Sequence, residues 1–275
     1  MTDLSTGLPD GIDPQRPSAA RVYDFMLGGT HNFASDRAAA AAAVEVMPQL
    51  PAIMKLNRAF LRAAVATAAA DGLDQFIDLG SGIPTVGTVH EIARQHRPRA
   101  RVVYVDVDPI AVIHSREILA GDPDSAVLQA NLLDADTILA DSGLRSVIDF
   151  SRPVGLLLVA VAHFLADTAS FLRALRTYQE SLAPGSLLIL SHASAEGSPE
   201  SAEKARQVYN RTTSPLVLRG RDDLRALLAG WRLREPGVVS AAEWLASAAE
   251  PSDARAVDTD PVAARSVLVA IAERP

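Results

Sequence analysis

The sequence predicts a doubly wound α/β fold with a seven-stranded sheet and a helical extension at its N-terminus. Beyond residue 71, short apolar runs alternate with segments of helical character, and the runs are apolar at consecutive positions. Strands that alternate with helices pair in parallel, and consecutive apolar positions indicate that both faces of the sheet are covered. With 275 residues, of which 48% are hydrophobic, the chain has enough apolar surface for the core of one large domain.

The first 70 residues are predicted to lie outside the sheet. Residues 1–16 are rich in Gly, Pro and Asp and are expected to form a mobile tail. Residues 17–70 are expected to form the helical extension, and Gly28 and Gly29 provide a stop signal for its first helix. The helices of the extension are predicted over 18–27, through the six alanines at 38–43, and over 52–70.

Residues 71–275 are predicted to form the sheet and its covering helices as one unit with the extension. Strands are predicted over 76–79, 101–105, 126–130, 154–160, 186–190, 232–239 and 265–272. Helices are predicted over 85–95, 109–119, 137–139 and 168–182. The stretch 240–264 is rich in Ala, Asp and Pro and is expected to be a surface excursion.

Composition excludes several classes of function. The net charge of 26 − 33 = −7 argues against binding to a nucleic-acid backbone, which needs a basic face. The absence of cysteine excludes disulfides, thiolate catalysis and Cys-ligated metals, and the six histidines lack ligand-like spacing, so we expect no metal site. No apolar signal segment or run of ~18 residues is present, which predicts a soluble, cytoplasmic protein without a membrane contact. The sequence leaves open a homodimer.

The most informative segment runs from Phe76 through Gly80, Ser81 and Gly82 to Pro84. An apolar strand enters Gly-x-Gly, and Pro84 is suited to the first turn of the following helix. Glycines at this turn let a ligand approach the backbone, and the N–H groups of the helix start favour polar or anionic ligand groups. Asp106 ends the next strand, 106 − 82 = 24 residues after Gly82, near the ~20-residue offset of a carboxylate that binds ribose hydroxyls.

The loop favours S-adenosylmethionine (SAM) over a dinucleotide. A dinucleotide fingerprint has a third glycine where Thr85 stands, and Asp78 directly before the loop would repel a pyrophosphate. SAM carries an amino group, a sulfonium and a ribose, but no phosphate. An NAD-dependent oxidoreductase is further disfavoured because the chain has no Tyr-x-x-x-Lys pair. A non-catalytic or regulatory SAM-binding protein, and an enzyme that uses SAM for other chemistry, remain alternatives.

Several motifs of the chain resemble those of known proteins. The segments 76–82, 103–106, 160–167 and 182–185 are similar to the motifs of class I SAM-dependent methyltransferases. The segment 21–37 (RVYDFMLGGTHNFASDR) resembles the N-terminal signature of the actinobacterial DUF574 family, as do Asn57-Arg58-Ala59-Phe60-Leu61 and the run 156–161. The resemblance covers residues 17–240 and is poor over 240–264.

The resemblance implies a Rossmann-like sheet whose last strand is antiparallel. It further implies that SAM, with S-adenosylhomocysteine (SAH) as its product, lies across the carboxyl ends of the first, second and fourth strands. By position, the backbone of Gly80, Ser81 and Gly82 would face the methionine moiety, with Asp78 near its amino group. Asp106 would bind the ribose hydroxyls.

The remaining cofactor contacts implied by the resemblance lie at the ends of three different strands. Val107 would pack on the adenine, and Asn131 and Leu132 would border its edge. Val159 and Ala160 would line the sulfonium end. The resemblance names the cofactor but not the acceptor, for which the composition favours a small molecule.

The segment from Tyr23 to Asn32 is predicted to act as a lid over the pocket. Polar residues flank the adjacent glycines Gly28 and Gly29, a composition that is poor for a core, and His31 and Asn32 follow directly. A helical extension can close over a cofactor and exclude water. The alternative interpretation is a helix and turn that only pack on the sheet.

His163 is the candidate general base, because it follows the fourth strand at the edge where open α/β sheets build their sites. His192, after the fifth strand, and His31 are weaker candidates, and a structural hydrogen-bonding role is the alternative for each. Asp108 is expected to cap the helix that starts near Pro109, a role that Asp106 could share.

Two tryptophans and one charged segment are expected to have structural roles. Trp231 and Trp244 are predicted to be packing residues. The charged segment from Arg219 to Asp223 is expected to be a solvated helix start.

Overall fold

The computed structural model describes residues 13–84, 87–210, 212, 214–248 and 260–275. The strands are β1 (Gln75–Leu79), β2 (Arg101–Asp106), β3 (Ser125–Gln129), β4 (Gly155–Leu158), β5 (Leu187–Ala193), β6 (Arg232–Leu233), β7 (Val239–Ser240) and β8 (Val267–Glu273). The helices before β4 are α1 (Ala19–Met26), α2 (Ala34–Val46), α3 (Leu50–Ala70), α4 (Val89–His96), α5 (Pro109–Ile118), α6 (Ala135–Ala140) and α7 (Ser142–Val147). Those after β4 are α8 (Thr168–Ser181), α9 (Pro199–Tyr209), α10 (Arg221–Leu227), α11 (Ala241–Ser247) and α12 (Pro261–Arg265), and residues Ala162–Phe164 form a single 3₁₀ turn.

The sheet has the order β3-β2-β1-β4-β5-β8-β6, with β7 paired to β8. Strands β1 to β5 pair in parallel, and β8 is antiparallel to β5, which confirms the predicted doubly wound sheet and its antiparallel last strand. The strand order reverses between β1 and β4. In an open parallel sheet, the crevice at the carboxyl ends beside such a reversal is where ligands bind.

The prediction of seven strands is wrong in one place. The segment 232–239 was expected to be one strand, but it forms the short strands β6 and β7, which pair with β8 at Glu273–Ala272 and Val269–Leu268. Pro236 lacks the N–H that a ladder needs, and Gly237 adopts a φ of +85° in the turn between the two strands.

Helix α3 buries the apolar stripe that its sequence predicted. Ile53, Leu56, Phe60, Leu61 and Val65 are all buried, and they pack in the core on one face of the sheet. Because successive strand residues alternate between faces, Phe76 joins that cluster while Ile77 packs in the second core, on the face covered by α8. Each face of the sheet therefore has its own apolar core, as the consecutive apolar positions indicated.

The helix that follows the Gly-x-Gly loop begins later than predicted. It was expected to open at Pro84, but α4 starts at Val89, and residues 85 and 86 lie outside the described residues. The Glu91 carboxylate accepts hydrogen bonds from the N–H groups of Thr88 and Gly87, which fixes the helix start there. Gly87, with a φ of +79°, is unsuited to a helix.

The stretch 240–264 is not the surface excursion that its composition suggested. Its described parts form α11 and α12, and Ala241, Leu245 and Ala263 are buried in the core beneath α3. Trp244 packs edge-on against Phe60, with the ring centroids 5.0 Å apart. The apolar positions of two short helices were hidden by the surrounding Ala, Asp and Pro, and residues 249–259 lie outside the described ranges.

The packing roles predicted for the two tryptophans are confirmed, since Trp231 and Trp244 are both buried. Among the described residues, no helix combines the length and apolar character that a bilayer crossing requires.

Candidate active site

A cavity of about 610 Å³ lies at the carboxyl ends of the parallel strands. This volume falls within the ~300–1,000 Å³ typical of pockets that bind small ligands. Its sheet-side wall consists of residues at or just beyond the carboxyl ends of β1 to β4, namely Asp78, Gly80, Ser81, Gly82, Ile83, Asp106, Val107, Asp108, Pro109, Ala130, Asn131, Leu132, Val159, Ala160, Val161, Phe164 and Leu165. The opposite wall comes from the extension and one later residue, namely Asp13, Arg16, Ser18, Ala19, Ala20, Arg21, Tyr23, Asn57, Arg58, Leu61 and Ser214.

The glycines of the loop after β1 are required by the backbone. Gly80 and Gly82 have φ values of +72° and +67°, in the left-handed region. The N–H groups of Gly80 and Ser81 both donate to the Val105 carbonyl, which holds the turn against β2. A Cβ on Gly80 would lie 2.3 Å from Val161, whereas a Cβ on Gly82 would meet nothing within 4 Å. Gly80 therefore lets the chain pack, and Gly82 borders open space.

Replacing Gly82 by alanine is expected to weaken SAM binding by about tenfold, because the new methyl group enters the cavity. Gly121→Ala is the matched control, since Gly121 also has a positive φ (+81°), open space around its Cβ position, and no place in the cavity wall. Both variants should lose a similar ~1–2 kcal/mol of stability for the left-handed backbone. Calorimetric titration with SAM checks the difference, and equal SAM affinities in the two variants would contradict it.

Asp106 ends β2 with its carboxylate beside the glycine loop. One oxygen accepts the N–H of Gly82 at 2.7 Å, and the other accepts the N–H of Asp108 at 2.8 Å. Burial raises the pKa of Asp106, while these two N–H groups act in the opposite direction. The carboxylate still has lone-pair capacity for a ligand hydroxyl. Asp108 is the N-cap of α5, accepting from the N–H of Ile110, as predicted.

Asp78 is a buried carboxylate in the cavity wall. It makes no side-chain hydrogen bond within the part of the chain that the structure describes. Burial raises its pKa to about 7; the nearby Arg58 guanidinium lowers it, and Asp106 adds to the rise. A carboxylate of this kind is stabilised by a ligand that brings its own positive charge.

The other predicted cofactor contacts also meet at the cavity. Val107, Asn131, Leu132, Val159 and Ala160 line it. The side chain of Val107 is 66% exposed, an unusual position for an apolar residue, and it offers a flat apolar surface to a ligand. All ten residues predicted for the cofactor are therefore brought together in one cavity wall.

Of the residues predicted to form the lid, only Tyr23 lies in the cavity wall. Gly28, Gly29, His31 and Asn32 lie outside the cavity lining. They pack around the buried Asp24, whose carboxylate accepts the backbone N–H of His31 and the side-chain amide of Asn32. A Cβ on Gly29 would lie 2.0 Å from that carboxylate, so the glycine is needed for this packing. Residues at 13–20 also line the cavity, although the sequence places them in the tail and the first helix.

The structure does not bring His163 to the cavity. Its Nδ1 accepts the N–H of Ala193, and burial holds its pKa well below the usual range. His192 is also buried, with Nδ1 on the Ala193 carbonyl and Nε2 on Arg219, and burial lowers its pKa to about 4. The ring of His31 lies against that of His114, with centroids 3.9 Å apart. The geometry favours a structural role for His163 and His192.

Arg219 was expected to be solvated, but it is only 6% exposed. Its guanidinium donates to the carbonyls of Ala162 and Leu165 and to the hydroxyl of Thr168. These contacts fix the 3₁₀ turn that follows β4 and carries part of the cavity wall. No sequence pattern signals these contacts, because the carbonyls lie more than 50 residues away along the chain.

A second group that sequence reasoning missed is a buried ion-pair cluster around Arg21. The guanidinium donates to Asp36 at 2.9 Å, to Asp108 at 3.1 Å and to the carbonyl of Arg16. The hydroxyl of Ser18 donates to the same Asp108 oxygen at 2.6 Å. This Arg21 cluster joins the extension to the helix cap beside Asp106.

The residues present fit SAM. The carboxylate of Asp106, at the end of β2, can accept hydrogen bonds from a ribose. The buried carboxylate of Asp78 suits the cationic amino acid end of the ligand, and Gly82 leaves space for the ligand beside the loop. The doubly wound sheet with its antiparallel last strand and this crevice define the class I SAM-dependent methyltransferases.

More narrowly, the chain belongs to the S-adenosyl methyltransferase family, whose sequence model matches residues 5–270. It is thus a SAM-dependent methyltransferase, and SAM is its cofactor. A crystal structure of a DUF574 family protein from Streptomyces avermitilis MA-4680 is 33% identical, with a TM-score of 0.89 over 96% of this chain and 99% of that one. A putative methyltransferase from Thermobifida fusca YX is 36% identical, with a TM-score of 0.88 over 98% and 99% of the two chains.

A curated relative matches over a short segment only. Ribosomal RNA small subunit methyltransferase H of Halorhodospira halophila is 38% identical over 63 residues, which are 23% of this chain and 19% of that protein's length. The match is too short to transfer the acceptor of that protein.

Proposed function

We propose that the protein transfers the methyl group of SAM to a small-molecule acceptor bound in the same cavity. The observation that carries this proposal is the cavity itself. Its sheet-side wall includes the ten predicted cofactor residues, and most of its other wall is supplied by the extension. One cavity bordered on two sides suits a ligand pair of modest size.

We propose that the cofactor is held by the sheet-side wall. The backbone of Gly80, Ser81 and Gly82 faces the methionine moiety, Asp78 accepts its ammonium group, and Asp106 accepts the ribose hydroxyls. Both carboxylates are at most 8% exposed, so hydrogen bonds to them are little weakened by water.

The adenosine and sulfonium ends are assigned to the next residues of the same wall. Val107 packs on the adenine, Asn131 and Leu132 border its edge, and Val159 and Ala160 lie at the sulfonium end. The exposure of Val107 supports this assignment, since an adenine would cover an otherwise unprotected apolar side chain.

The extension supplies the cover that keeps water from the reacting atoms. Ala19, Ala20 and Tyr23 of α1 face the cavity, and the Arg21 cluster anchors this helix to α5. Such a cover places the acceptor and the cofactor in a dry, fixed arrangement, which can supply several kcal/mol of the barrier. The net charge of −7 favours a small molecule over a nucleic acid as the acceptor.

The chain's contribution to the reaction is positioning. Bound SAM supplies an activated methyl group on its sulfonium. None of the histidines lines the cavity, and its described titratable residues are Asp, Arg and Tyr. To act as the predicted catalytic base, His163 would have to break its hydrogen bond to Ala193 and turn toward the cavity. We therefore base the proposal on how the protein orients the cofactor and the acceptor.

The function is tested by following the labelled methyl group of SAM. The protein is incubated with methyl-labelled SAM and, separately, with the small-molecule, RNA and protein fractions of a cell extract. We expect label in the small-molecule fraction and stoichiometric SAH, with neither from the Asp106→Ala variant. Label in RNA would show that the acceptor is RNA and not a small molecule. If the protein binds SAM but forms no SAH with any fraction, a regulatory SAM-binding protein would be favoured.

Binding of SAM is expected to depend on pH through Asp78. Its pKa is about 7 in the free protein, and a ligand ammonium stabilises the ionised carboxylate, so binding releases a proton at lower pH. The affinity should therefore fall by about tenfold for each pH unit below 7 and stay level from 7 to ~7.7, where α-amino groups begin to titrate. Titration calorimetry from pH 5 to 7.5 measures this slope.

Asp78→Asn is the control for this dependence. It should remove most of the slope and lower the affinity at pH 7.5. A slope that survives in Asp78→Asn would have to come from Asp106, whose pKa is also raised by burial. A level affinity in the unmodified protein from pH 5 to 7.5 would contradict the placement of the ammonium at Asp78.

A further inference from the structure

Ala160, directly after β4, has a backbone conformation that is rare for its residue type. Its φ is +56°, and within the described ranges it is the one non-glycine residue with a positive φ. An L-residue in this region is strained and persists when its surroundings hold it there. Strain of this kind is often found at functional sites, and Ala160 lines the cavity.

Ser191 on β5 holds Ala160 in place. The hydroxyl oxygen of Ser191 accepts the N–H of Ala160 at 2.9 Å, and the hydroxyl proton goes to the Oδ1 atom of Asn57 at 2.5 Å. Ser191 is fully buried and Asn57 is only 4% exposed, so water does not compete for these bonds. Asn57 belongs to the Asn57-Arg58-Ala59-Phe60-Leu61 motif, which the assignment of the cofactor residues leaves unexplained.

Asn57 continues the connection to the opposite wall. Its Nδ2 group donates to the Tyr23 hydroxyl oxygen at 3.1 Å, and that hydroxyl donates to the Met54 carbonyl at 3.2 Å. Each donor in the series has one acceptor, so the order of protons along it is fixed. We call Ala160, Ser191, Asn57 and Tyr23 the relay. It connects the strained end of β4 to helix α1 through α3.

The relay leaves one lone pair on the Tyr23 oxygen, because Asn57 occupies the other. Burial raises the pKa of Tyr23, so this group stays a neutral phenol. A neutral oxygen with a free lone pair carries partial negative charge and attracts a positive centre nearby. SAM has such a centre at its sulfonium, and SAH does not.

We propose that Asn57 and Ser191 are positioning residues, which hold the Tyr23 hydroxyl and the Ala160 backbone in place. In this arrangement the cavity binds SAM, with its charged sulfonium, more tightly than SAH, whose sulfur is neutral. This rests on the proposed placement of the sulfonium end at Val159 and Ala160. The relay thereby favours binding of the cofactor before the reaction and release of the product after it.

The chain provides a matched control for Ser191. Ser186, directly before β5, is equally buried, accepts the N–H of Val154 at 3.0 Å, and donates to the Ala183 carbonyl at 2.6 Å. Each serine therefore accepts one backbone N–H and donates to one carbonyl oxygen. Ser186 lies away from the cavity lining.

The test measures the Kd values of SAM and SAH by calorimetry for the unmodified protein, Ser191→Ala, Tyr23→Phe, their double variant and Ser186→Ala. We expect Ser191→Ala and Tyr23→Phe each to weaken the binding of SAM by about tenfold and the binding of SAH by about twofold. The larger loss corresponds to the free energy of one hydrogen bond. The double variant should be little weaker than either single variant, because residues of one network are not additive. Ser186→Ala should lower Tm like Ser191→Ala and change neither Kd.

Three results would overturn the proposal: equal losses for SAM and SAH, losses that multiply in the double variant, or a Ser186→Ala variant that behaves like Ser191→Ala. If Ser191→Ala does not fold, Tyr23→Phe and the SAM-to-SAH ratio still decide, since Tyr23 is half-buried. An unmodified protein that does not bind SAM would instead overturn the site assignment itself.

Discussion

Asp106→Ala is expected to weaken SAM binding by a hundredfold or more. We place two ribose hydroxyls on this carboxylate, and hydrogen bonds to charged groups contribute ~1.5–3 kcal/mol each. Loss of two such bonds corresponds to at least ~3 kcal/mol, or about a hundredfold in Kd. The substitution also frees the N–H of Gly82, which donates to Asp106 at 2.7 Å, so the glycine loop loses one of its bonds to β2 and keeps those to the Val105 carbonyl.

The control for this prediction is Asp134→Ala. Asp134 is exposed, lies between β3 and α6, and is absent from the cavity lining, so the charge change is the same without the contact. It should leave the Kd of SAM unchanged. Calorimetry measures the Kd of SAM for both variants, and thermal-shift titrations with SAM, SAH and NAD accompany it. An Asp106→Ala variant that binds SAM as Asp134→Ala does would show that the carboxylate does not hold the ribose.

The sheet-side wall of the site could be predicted from the sequence because its chemistry is local. Gly80 and Gly82 stand where a strand turns into the next connection, and their positive φ values follow from that turn. Asp106 lies at a fixed distance along the next strand. A strand, a Gly-x-Gly turn and a strand-terminal carboxylate in this order need no information about the rest of the fold.

The contacts that hold the cavity walls in place could not be predicted in the same way. Arg219 stands in an Arg-Gly-Arg-Asp-Asp run that suggests a solvated helix start, yet its guanidinium is satisfied by carbonyls after β4. Ser191 and Asn57 are 134 residues apart in sequence and bond directly. Contacts of this range depend on how the helices pack, which neither periodicity nor spacing reports.

The candidate base shows a further limit of sequence reasoning. His163 does follow β4 at the predicted edge of the sheet, whereas His192 lies within β5 near its carboxyl end. Position along a strand does not determine where a side chain points. The 3₁₀ turn and the hydrogen bond to Ala193 direct the His163 ring toward β5. The direction of a side chain at a strand end is set by the local backbone, which the sequence pattern left open.

Replacing Arg21 by methionine is expected to lower the free energy of unfolding by about 3–5 kcal/mol. Arg21 is 4% exposed and neutralises Asp36 and Asp108, whose side chains are at most 7% exposed. Without the guanidinium, two carboxylates stay buried beside each other, and loss of one partner from a buried ion pair costs several kcal/mol because the remaining charge is uncompensated. Methionine preserves the apolar part of the side chain, so packing changes little.

Arg225→Met separates this effect from the general loss of an arginine. Arg225 pairs with Asp222 at 2.7 Å on the surface, and exposed pairs contribute ~0–1 kcal/mol. Urea unfolding of both variants measures the difference, and SAM titration of Arg21→Met should also show weaker binding, since Asp108 donates its N–H to Asp106. If Arg21→Met unfolds no more easily than Arg225→Met, the extension is held on the sheet by apolar packing alone. The ion-pair cluster would then have no part in covering the cavity.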